Sequence, residues 1–312
     1  MTHLRGDFLA TITHNERIGS HHYDLGLCLS EAGAEAFADF QPGQFIELDL
    51  SRTGLPPAED IPAPLADAAQ RHLLLRRPFS LSSAVRREDG TVRITVVYAV
   101  IGPGTLRMTT LRPGDTLQVL GPLGHGFSIA RNKTHALLVA GGIGAPPIQH
   151  LGAWLSTNRP SVQTVLFAGA RSREDLPFRK RPSVDGQPIL SDLEDLDIDT
   201  LIATDDGSAG HHGFITECLT QWIQSHGNLN PDHLVICACG PDPMLHLCAK
   251  IAIESGIDGQ ISLERHMACG INLCQGCAVP CRIPGTRTIE NRMCCQHGPV
   301  FDAREVLFET PA

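Results

Sequence analysis

The C-terminal part of the chain carries a cysteine motif that constrains the fold more than any other feature. Cys269, Cys274 and Cys277 have the spacing C-x4-C-x2-C, and Cys294 and Cys295 stand side by side further along. This spacing, followed by a distant fourth cysteine, is the ligand pattern of plant-type [2Fe–2S] centres. The motif therefore predicts a loop-rich segment wrapped around an iron–sulfur cluster, a group that carries one electron at a time.

The same loop has glycine where its backbone must come close to a cluster. A [2Fe–2S] cluster takes two thiolates on each iron, and its sulfurs accept N–H hydrogen bonds from the protein. Gly270 and Gly276 permit that approach because they have no side chain. The fourth thiolate has to come from a returning segment, and either Cys294 or Cys295 can supply it.

Zinc and disulfides are the competing interpretations of these cysteines. Structural zinc usually takes paired C-x2-C knuckles, and only Cys274 and Cys277 form one here. A disulfide framework is not expected, because the N-terminal segment does not resemble a signal peptide and cytosolic thiols stay reduced. Other cysteines are interpreted as small buried hydrophobes. They are Cys28, Cys218, Cys237 and Cys248.

Composition sets the class of protein. A length of 312 residues suggests two or three domains, and 42% hydrophobic with 19% charged residues is ordinary for a globular protein. The net charge of −9, without a basic stripe, argues against nucleic acid as a partner. The sequence has no apolar run of about 20 residues, so we expect no membrane span and a cytoplasmic location.

Residues 1–130 predict short strands that form an antiparallel β-barrel. The stretches 44–50 and 91–98 alternate apolar and polar side chains, and short strands with this spacing favour a barrel. The Pro-rich stretch 51–72 interrupts the pattern. We interpret it as a surface insertion with a short helix near 66–72.

Residues 131–262 predict an α/β domain of Rossmann-like type. Apolar runs at 136–140, 162–168 and 234–238 are predicted as buried strands, and helical patterns follow the first and the third. Strands and helices in alternation indicate a parallel sheet. The remaining residues, 263–312, are loop-rich and cysteine-rich, as expected for a separate [2Fe–2S] domain.

The first glycine turn of the α/β segment is a candidate dinucleotide site. Gly141-Gly142-Ile143-Gly144 joins a strand to a helix. Glycines let a phosphate approach the backbone, and the helix N-terminus offers free N–H groups and a positive dipole end. The pattern is not the strict G-x-G-x-x-G, so a tight turn without a ligand is the alternative.

A second candidate binding motif follows the Pro-rich insertion. Arg77 can grip a diphosphate through two N–H groups, Pro78 sets the entry into a strand, and Ser80 offers a short hydroxyl. With Phe79 they form the tetrapeptide Arg-Pro-Phe-Ser. An edge strand with an exposed arginine would have the same sequence.

The order of these motifs resembles the ferredoxin–NADP reductase superfamily. The motifs are Pro42-Gly43-Gln44-Phe45, Arg77-Pro78-Phe79-Ser80, Gly104-Thr105, Gly121-Pro122-Leu123-Gly124, Gly141-Gly142-Ile143-Gly144 and Cys239-Gly240-Pro241. The C-terminal motifs narrow the resemblance to the electron-transfer subunits of class 1B dihydroorotate dehydrogenases. Those motifs are Ser262-Leu263-Glu264, Met267-Ala268-Cys269-Gly270 and Gly298-Pro299-Val300-Phe301.

The resemblance implies FAD on the barrel and NAD on the α/β domain. The implied FAD contacts are Arg77, Pro78, Phe79, Ser80, Val97, Tyr98, Ala99, Gly104 and Thr105. The implied NAD turn consists of Gly141, Gly142, Ile143 and Gly144. Cys239 is expected near the nicotinamide and Glu264 near the flavin, with a buried thiol and a surface carboxylate as the plain alternatives.

The resemblance also selects the fourth cluster ligand. In the family this ligand stands three residues before the Gly-Pro-Val-Phe motif, a position that Cys295 occupies. Cys294 and Cys281 are then spare thiols. The implied ligands are Cys269, Cys274, Cys277 and Cys295.

The implied function is electron transfer for a partner that oxidises dihydroorotate in pyrimidine biosynthesis. NAD exchanges two electrons as hydride, an iron–sulfur cluster exchanges one, and a flavin can do both. The implied route runs from the FMN of a catalytic partner subunit, in a heterotetramer, through [2Fe–2S] and FAD to NAD+. The alternatives are a related subunit of a sulfide dehydrogenase or NADH/NADP/ferredoxin oxidoreductase, and a non-catalytic, zinc-stabilised binding protein.

Some positions depart from the family pattern. Ala99 stands where a basic residue is usual, and His125 where asparagine is usual. The 51–72 insertion and the long gap before Cys295 are also unusual. None of these departures removes a cluster ligand or the core of the flavin motif, but they leave the partner surface and the substrate open.

Overall fold

The computed structural model describes residues 5–184 and 186–308, and its N-terminal part is a curved antiparallel sheet. The strands are β1 (Gly6–Arg17), β2 (His22–Leu29), β3 (Phe45–Leu48), β4 (Arg77–Ser80), β5 (Ser83–Arg86), β6 (Val92–Ala99) and β7 (Thr116–Leu123). They lie in the order β4-β3-β7-β1-β2-β6-β5. The accompanying helices are α1 (Glu31–Phe37), α2 (Ala66–Ala69) and α3 (Pro103–Met108).

Alternation of side chains explains why this sheet curls around a core. Successive residues of a strand point to opposite faces, and Leu25 of β2 and Ile94 and Val96 of β6 are fully buried on the inner one. The predicted antiparallel barrel is confirmed as a half-barrel with β4 and β5 at its edges. The helix predicted near 66–72 is confirmed as the shorter α2, within a largely exposed insertion.

The rest of the chain builds a second, largely parallel sheet. The strands of this sheet are β8 (His135–Gly141), β9 (Gln163–Ala170), β12 (Ile198–Thr204), β13 (His211–His212), β14 (Leu234–Cys239), β15 (Asp258–Ser262) and β18 (Val300–Asp302). Four further strands lie outside it: β10 (Lys180–Pro182), β11 (Pro188–Leu190), β16 (Ala278–Arg282) and β17 (Ile289–Met293). The helices are α4 (Ala145–Asn158), α5 (Ile215–Ser225), α6 (Asp242–Glu254) and α7 (Cys294–His297). The sheet order is β13-β12-β9-β8-β14-β15-β18, while β10-β11 and β16-β17 are separate hairpins.

The predicted α/β domain is confirmed. The apolar runs at 136–140, 162–168 and 234–238 correspond to β8, β9 and β14, and α4 and α6 follow β8 and β14. Leu137 and Leu138 are fully buried in the cores on opposite faces of the sheet. A parallel sheet covered on both sides needs such continuously apolar strands, which is why these runs do not alternate.

The cysteine-rich segment is attached to both sheets. Its strand β18 pairs antiparallel with β15, and Leu263 donates its N–H to the carbonyl of Pro299. On the barrel side, the N–H of His125 donates to the carbonyl of Gly298 at 2.6 Å. Phe45 of β3 packs in the same hydrophobic cluster as Cys277 and Cys295. The cysteine loop therefore lies where the half-barrel and the parallel sheet meet.

Membrane spans were not expected from the sequence. None of the helices in the described ranges combines the length and the hydropathy that crossing a bilayer requires.

Candidate functional site

The loop between Cys269 and Cys277 aims its backbone N–H groups at cysteine sulfurs. Leu273 and Cys274 donate to Cys269 Sγ at 3.3 and 3.4 Å, and Gly276 donates to Cys274 Sγ at 3.5 Å. N–H groups arranged in this way stabilise thiolate sulfur, which is the form that binds a metal.

The turn geometry of the loop explains how these N–H groups converge. Gly270 has a φ of 62°, Asn272 of 66° and Gln275 of 57°, all in the left-handed region. Glycine adopts this region freely, and asparagine does so more readily than most residues. The predicted role of Gly270 in the turn agrees with this geometry, whereas Gln275 is held there against its own preference.

The returning segment completes the group of sulfurs. Asn272 donates its N–H to Cys295 Sγ at 3.3 Å, and Cys295 donates its own N–H to Cys277 Sγ at 3.4 Å. The structure thus brings the predicted residues Cys269, Cys274, Cys277 and Cys295 into one hydrogen-bonded arrangement. Their assignment as cluster ligands stays a prediction.

The neighbouring cysteine points elsewhere. The Cys294 thiol donates to the carbonyl of Leu263 at 3.5 Å and is fully buried, and burial raises its pKa. Cys281 lies on β16 and is likewise buried. These positions favour Cys295 over Cys294 and Cys281 as the fourth ligand.

The pKa of the Cys269 thiol is lower than the ordinary value for cysteine. Burial by itself raises its pKa, but the N–H groups of Cys274, Ile271 and Leu273, together with the thiol of Cys274, lower it to about 7. Burial and the thiol of Cys277 instead raise the pKa of Cys295 to about 12. The loop therefore favours the thiolate form of Cys269, which binds metal. Cys295 needs the positive charge of a bound metal to lose its proton.

The donor set can be compared with what a cluster needs. Each iron of a [2Fe–2S] cluster takes two protein thiolates, so the cluster takes four. The four cysteine sulfurs that these N–H groups contact supply that number. The chemistry of this donor set therefore fits the cluster.

The predicted flavin tetrapeptide forms the edge strand β4. Arg77 pairs with Leu48 in β3, and its Nη1 donates to the carbonyl of Leu75 at 2.7 Å. The Arg77 stem packs beside Gly104, where a Cβ atom would lie 3.3 Å from Arg77 Cγ. Gly104 thus leaves room for an arginine that can meet a diphosphate, and the two predicted contacts lie side by side.

The helix after β6 is capped by a predicted site residue. Thr105 Oγ1 accepts the N–H groups of Ile101 at 3.1 Å and Gly102 at 3.2 Å. The hydroxyl therefore stabilises the first turn of α3 directly.

Tyr98 faces the barrel core. It is 1% exposed, its hydroxyl donates to Asn15 Oδ1 at 3.1 Å, and its ring stacks on Tyr23. Burial raises its pKa. Because a strand alternates its faces, Val97 and Ala99 point to the other side, so Tyr98 offers a cofactor its backbone but not its side chain.

The glycine turn after β8 packs against the end of β14. A Cβ atom on Gly144 would lie 2.3 Å from the carbonyl oxygen of Cys239, and one on Gly141 would lie 2.5 Å from Met244 Sδ. Gly142 has a φ of 48° with open space around it, and Ile143 is 36% exposed. The turn also approaches β6, so the candidate NAD and FAD segments adjoin.

Cys239 and Glu264 lie in this region too. Cys239 pairs with Ser262 across β14 and β15. Burial raises the pKa of the Cys239 thiol to about 12, against a hydrogen bond from Ser262, and the carboxylate of Glu264 raises it further. Cys239 is therefore a neutral thiol at the end of the strand, which suits packing against a cofactor ring better than proton transfer.

The sequence pattern did not predict that the carboxyl group of Glu47 in β3 is buried. The stretch 44–50 alternates, and alternation predicts that Glu47 faces solvent. The structure instead leaves Glu47 only 1% exposed, with its carboxyl against Gly270 of the cysteine loop. No local signal distinguishes this position, because the residues that cover it are remote in sequence.

Comparisons with known proteins agree with this arrangement. Residues 264–307 match the family model described as the iron-sulfur cluster binding domain of dihydroorotate dehydrogenase B. The chain is 32% identical over 302 residues to the dihydroorotate dehydrogenase B (NAD(+)) electron transfer subunit of Geobacillus sp. (strain WCH70), covering 95% of this chain and 97% of that one. It is 34% identical over 274 residues to the same subunit of Shouchella clausii (strain KSM-K16), covering 86% of each.

Solved structures show the same fold. The NADH-dependent reduced ferredoxin–NADP oxidoreductase superposes with a TM-score of 0.68 at 24% identity, over 96% of this chain and 90% of that one. Phthalate dioxygenase reductase superposes with a TM-score of 0.53 at 16% identity, over 92% of this chain and 77% of that one. The predicted resemblance to reductases of this fold is confirmed.

Proposed function

This chain belongs to the family of electron transfer subunits of dihydroorotate dehydrogenase B, and we propose that it binds one [2Fe–2S] cluster, FAD and NAD for a dihydroorotate-oxidising partner. When bound, these groups exchange electrons singly and in pairs, so that electrons from the partner's FMN reach NAD+ by way of [2Fe–2S] and FAD. The observation that carries the proposal is the set of five backbone N–H groups that converge on four cysteine sulfurs.

We assign the cluster to Cys269, Cys274, Cys277 and Cys295. The loop residues orient these thiolates and donate hydrogen bonds that make reduction easier, since an N–H group stabilises added negative charge. Leu273 is 77% exposed and Ile271 is 46% exposed at the tip of the loop. An exposed tip allows a partner's redox group to come near the cluster.

We assign FAD to the half-barrel and NAD to the glycine turn. Arg77, whose stem packs beside Gly104, suits the diphosphate of FAD, and Pro78, Phe79 and Ser80 continue the same strand. Gly141 to Gly144 open α4 and suit the diphosphate of NAD. Cys239 and Glu264 then lie near the reacting rings, as contacts rather than as proton carriers.

The chain is proposed to work as part of a larger enzyme. The relatives' name, electron transfer subunit, implies a catalytic partner subunit. We propose that this partner contains FMN, that the two form a heterotetramer in the cytoplasm, and that 1–130, 131–262 and 263–312 are the FAD, NAD and cluster domains. This chain alone is proposed to be inactive toward dihydroorotate, because it is assigned no site for that substrate.

Co-purification and reconstitution test the proposal. We expect the anaerobically purified chain to contain about two irons and one FAD, and to show flavin and iron–sulfur absorption. Dihydroorotate-dependent reduction of NAD+ should appear only after the FMN-containing catalytic subunit is added.

Two results would contradict the proposal. The first is a colourless protein that contains zinc. The second is a coloured protein that supports NAD+ reduction with sulfide or reduced ferredoxin but never with dihydroorotate and the catalytic subunit. Cys295→Ser serves as a comparison variant, because it should still bind FAD but should not transfer electrons from the catalytic subunit to NAD+.

A further inference from the structure

Glu47 occupies an unusual place between the two proposed redox sites. A Cβ atom on Gly270 would lie 2.6 Å from both Cδ and Oε1 of Glu47, so the carboxyl group packs directly on the cysteine loop. In the sheet, Glu47 pairs with Pro78 of the proposed flavin strand. Opposed residues of paired strands share a face, so Glu47 lies on the same face as Pro78 and also contacts the cysteine loop.

The burial of this carboxyl group is costly. Glu47 is 1% exposed, and Oε1 has no hydrogen-bond partner among the residues that the structure describes. A buried polar atom without a hydrogen bond lowers the stability of the folded chain, because it has lost its contact with water. Leu120 lies opposite Glu47 in the sheet, so an apolar residue of similar volume at this position would have an apolar neighbour and would not carry that cost. Local departures of this kind are typical of sites with a function.

Charged groups of both signs lie near Glu47. Burial raises the pKa of Glu47, while Arg76 and Arg77 lower it. Arg76 forms an ion pair with Asp7, whereas Arg77 begins the proposed flavin strand β4. The carboxyl group thus lies against the cysteine loop, and Arg77 belongs to the proposed flavin site.

From this geometry we infer that Glu47 lowers the reduction potential of the iron–sulfur cluster, which makes the reduced cluster a better electron donor to the flavin. The inference rests on the proposed function and concerns a positioning residue, since Glu47 is not assigned as a ligand of either group. A carboxylate beside the cysteine loop opposes one added electron there, and Arg77 of the proposed flavin strand favours negative charge on the flavin side. No bond is formed or broken at Glu47, and no proton needs to move.

Redox titration at pH 8.5, followed by electron paramagnetic resonance of the reduced cluster, tests the inference. At the ambient potential that half-reduces the wild-type cluster, we expect Glu47→Gln to raise the ratio of reduced to oxidised cluster about tenfold, which is about 59 mV for one electron. The flavin potential should change much less. Electron transfer from cluster to flavin should slow accordingly in stopped-flow measurements.

Two variants serve as controls. Asp49→Asn removes the same charge just beyond β3, where the carboxylate accepts the N–H of Ser51 at 2.9 Å rather than facing the cysteine loop. It should leave the cluster potential near the wild-type value. Glu47→Asp keeps the charge and should also remain near wild type. Iron and flavin contents show whether each variant is folded and loaded.

The outcomes separate this inference from the proposed function. A wild-type chain without iron or flavin would overturn both. A loaded Glu47→Gln chain whose cluster potential matches that of Asp49→Asn would overturn the inference alone. Loss of the cluster in both Glu47→Gln and Glu47→Asp would also overturn it, because the residue would then hold the loop in place without regard to charge.

Discussion

The half-barrel and the cysteine loop are stabilised in opposite ways. The half-barrel has its own apolar core, in which Leu25, Ile94 and Val96 are fully buried. The cysteine loop has an exposed tip, and Asn272 and Gln275 adopt a left-handed conformation that costs roughly 1–2 kcal/mol per residue. Its polar groups point at sulfur atoms instead of at a core.

This difference shows which part of the molecule depends on its cofactor. The hydrophobic effect is sufficient to hold the half-barrel sheet. A loop with strained backbone and clustered thiols needs metal–thiolate bonds, whose free energy then counts as folding free energy. We therefore expect the cysteine loop to order with its cluster and the half-barrel to fold without FAD.

The largest expected effect comes from the fourth ligand. Cys295→Ser should abolish the cluster, because Cys295 Sγ accepts a hydrogen bond from Asn272 of the cysteine loop and is the proposed fourth ligand. Cys294→Ser should retain it, because that thiol bonds to Leu263 instead. Iron content and visible absorption measure both. The reverse result would mean that the ligand register is shifted by one residue.

Removal of iron should affect the two regions differently. After treatment with a chelator and a reductant, hydrogen exchange should accelerate strongly at the amides of Asn272, Leu273 and Cys274, which lose their sulfur partners. The amides of β2 and β6 should remain protected, since the apolar core does not change. Equal acceleration in both regions would show that the half-barrel also depends on the cluster.

The half-barrel should respond to loss of its arginine. Arg77→Ala should weaken FAD binding about 10- to 100-fold, because a charge-assisted contact to a diphosphate contributes roughly 1.5–3 kcal/mol. Fluorescence titration of the flavin-free chain with FAD measures this change. Arg71→Ala, which removes an exposed arginine paired with Asp67, is the matched control and should bind FAD normally.

The last expected effect is a loss of stability at acid pH, at the contact between the half-barrel and α4. His150 stacks on Phe40, and burial lowers its pKa to about 4. The unfolded chain binds a proton near pH 6.5 and the folded chain does not, so stability is complete above pH 6.5 and falls as the pH drops toward 4. Since one pKa unit corresponds to about 1.4 kcal/mol, the loss should be about 1.5 kcal/mol at pH 5.5 and about 2.5 kcal/mol at pH 4.5.

Urea unfolding from pH 7.5 to 4.5 measures this loss. His150→Phe keeps an aromatic ring against Phe40 and should reduce the pH dependence. An unchanged dependence in this variant would assign the acid sensitivity to other groups, of which His22, with a pKa lowered by burial to about 4, is the next candidate.

Much of the fold was predictable because it depends on local pattern. The alternating stretches 44–50 and 91–98 and the apolar runs at 136–140 and 234–238 are strands, as expected. Periodicity reports which faces of a segment are apolar, and the sheet types follow from it. The cysteine spacing likewise predicts cluster chemistry, since three ligands lie on one short loop.

The remaining features depend on how distant segments meet. Spacing alone did not choose between Cys294 and Cys295, and family resemblance was needed; the structure orients only Cys295 toward the loop. The Tyr98 side chain faces the core because of its position along β6, although the family resemblance implied a flavin contact there.

Glu47 is the clearest of these cases. Alternation places it on the solvent side of an isolated strand, yet the cysteine loop, more than 200 residues further along the chain, covers it. The chain's local patterns establish the strands, the helices and the kinds of redox group that they suit. Which side chains lie between those groups depends on packing between segments remote in sequence, and no local pattern records that packing.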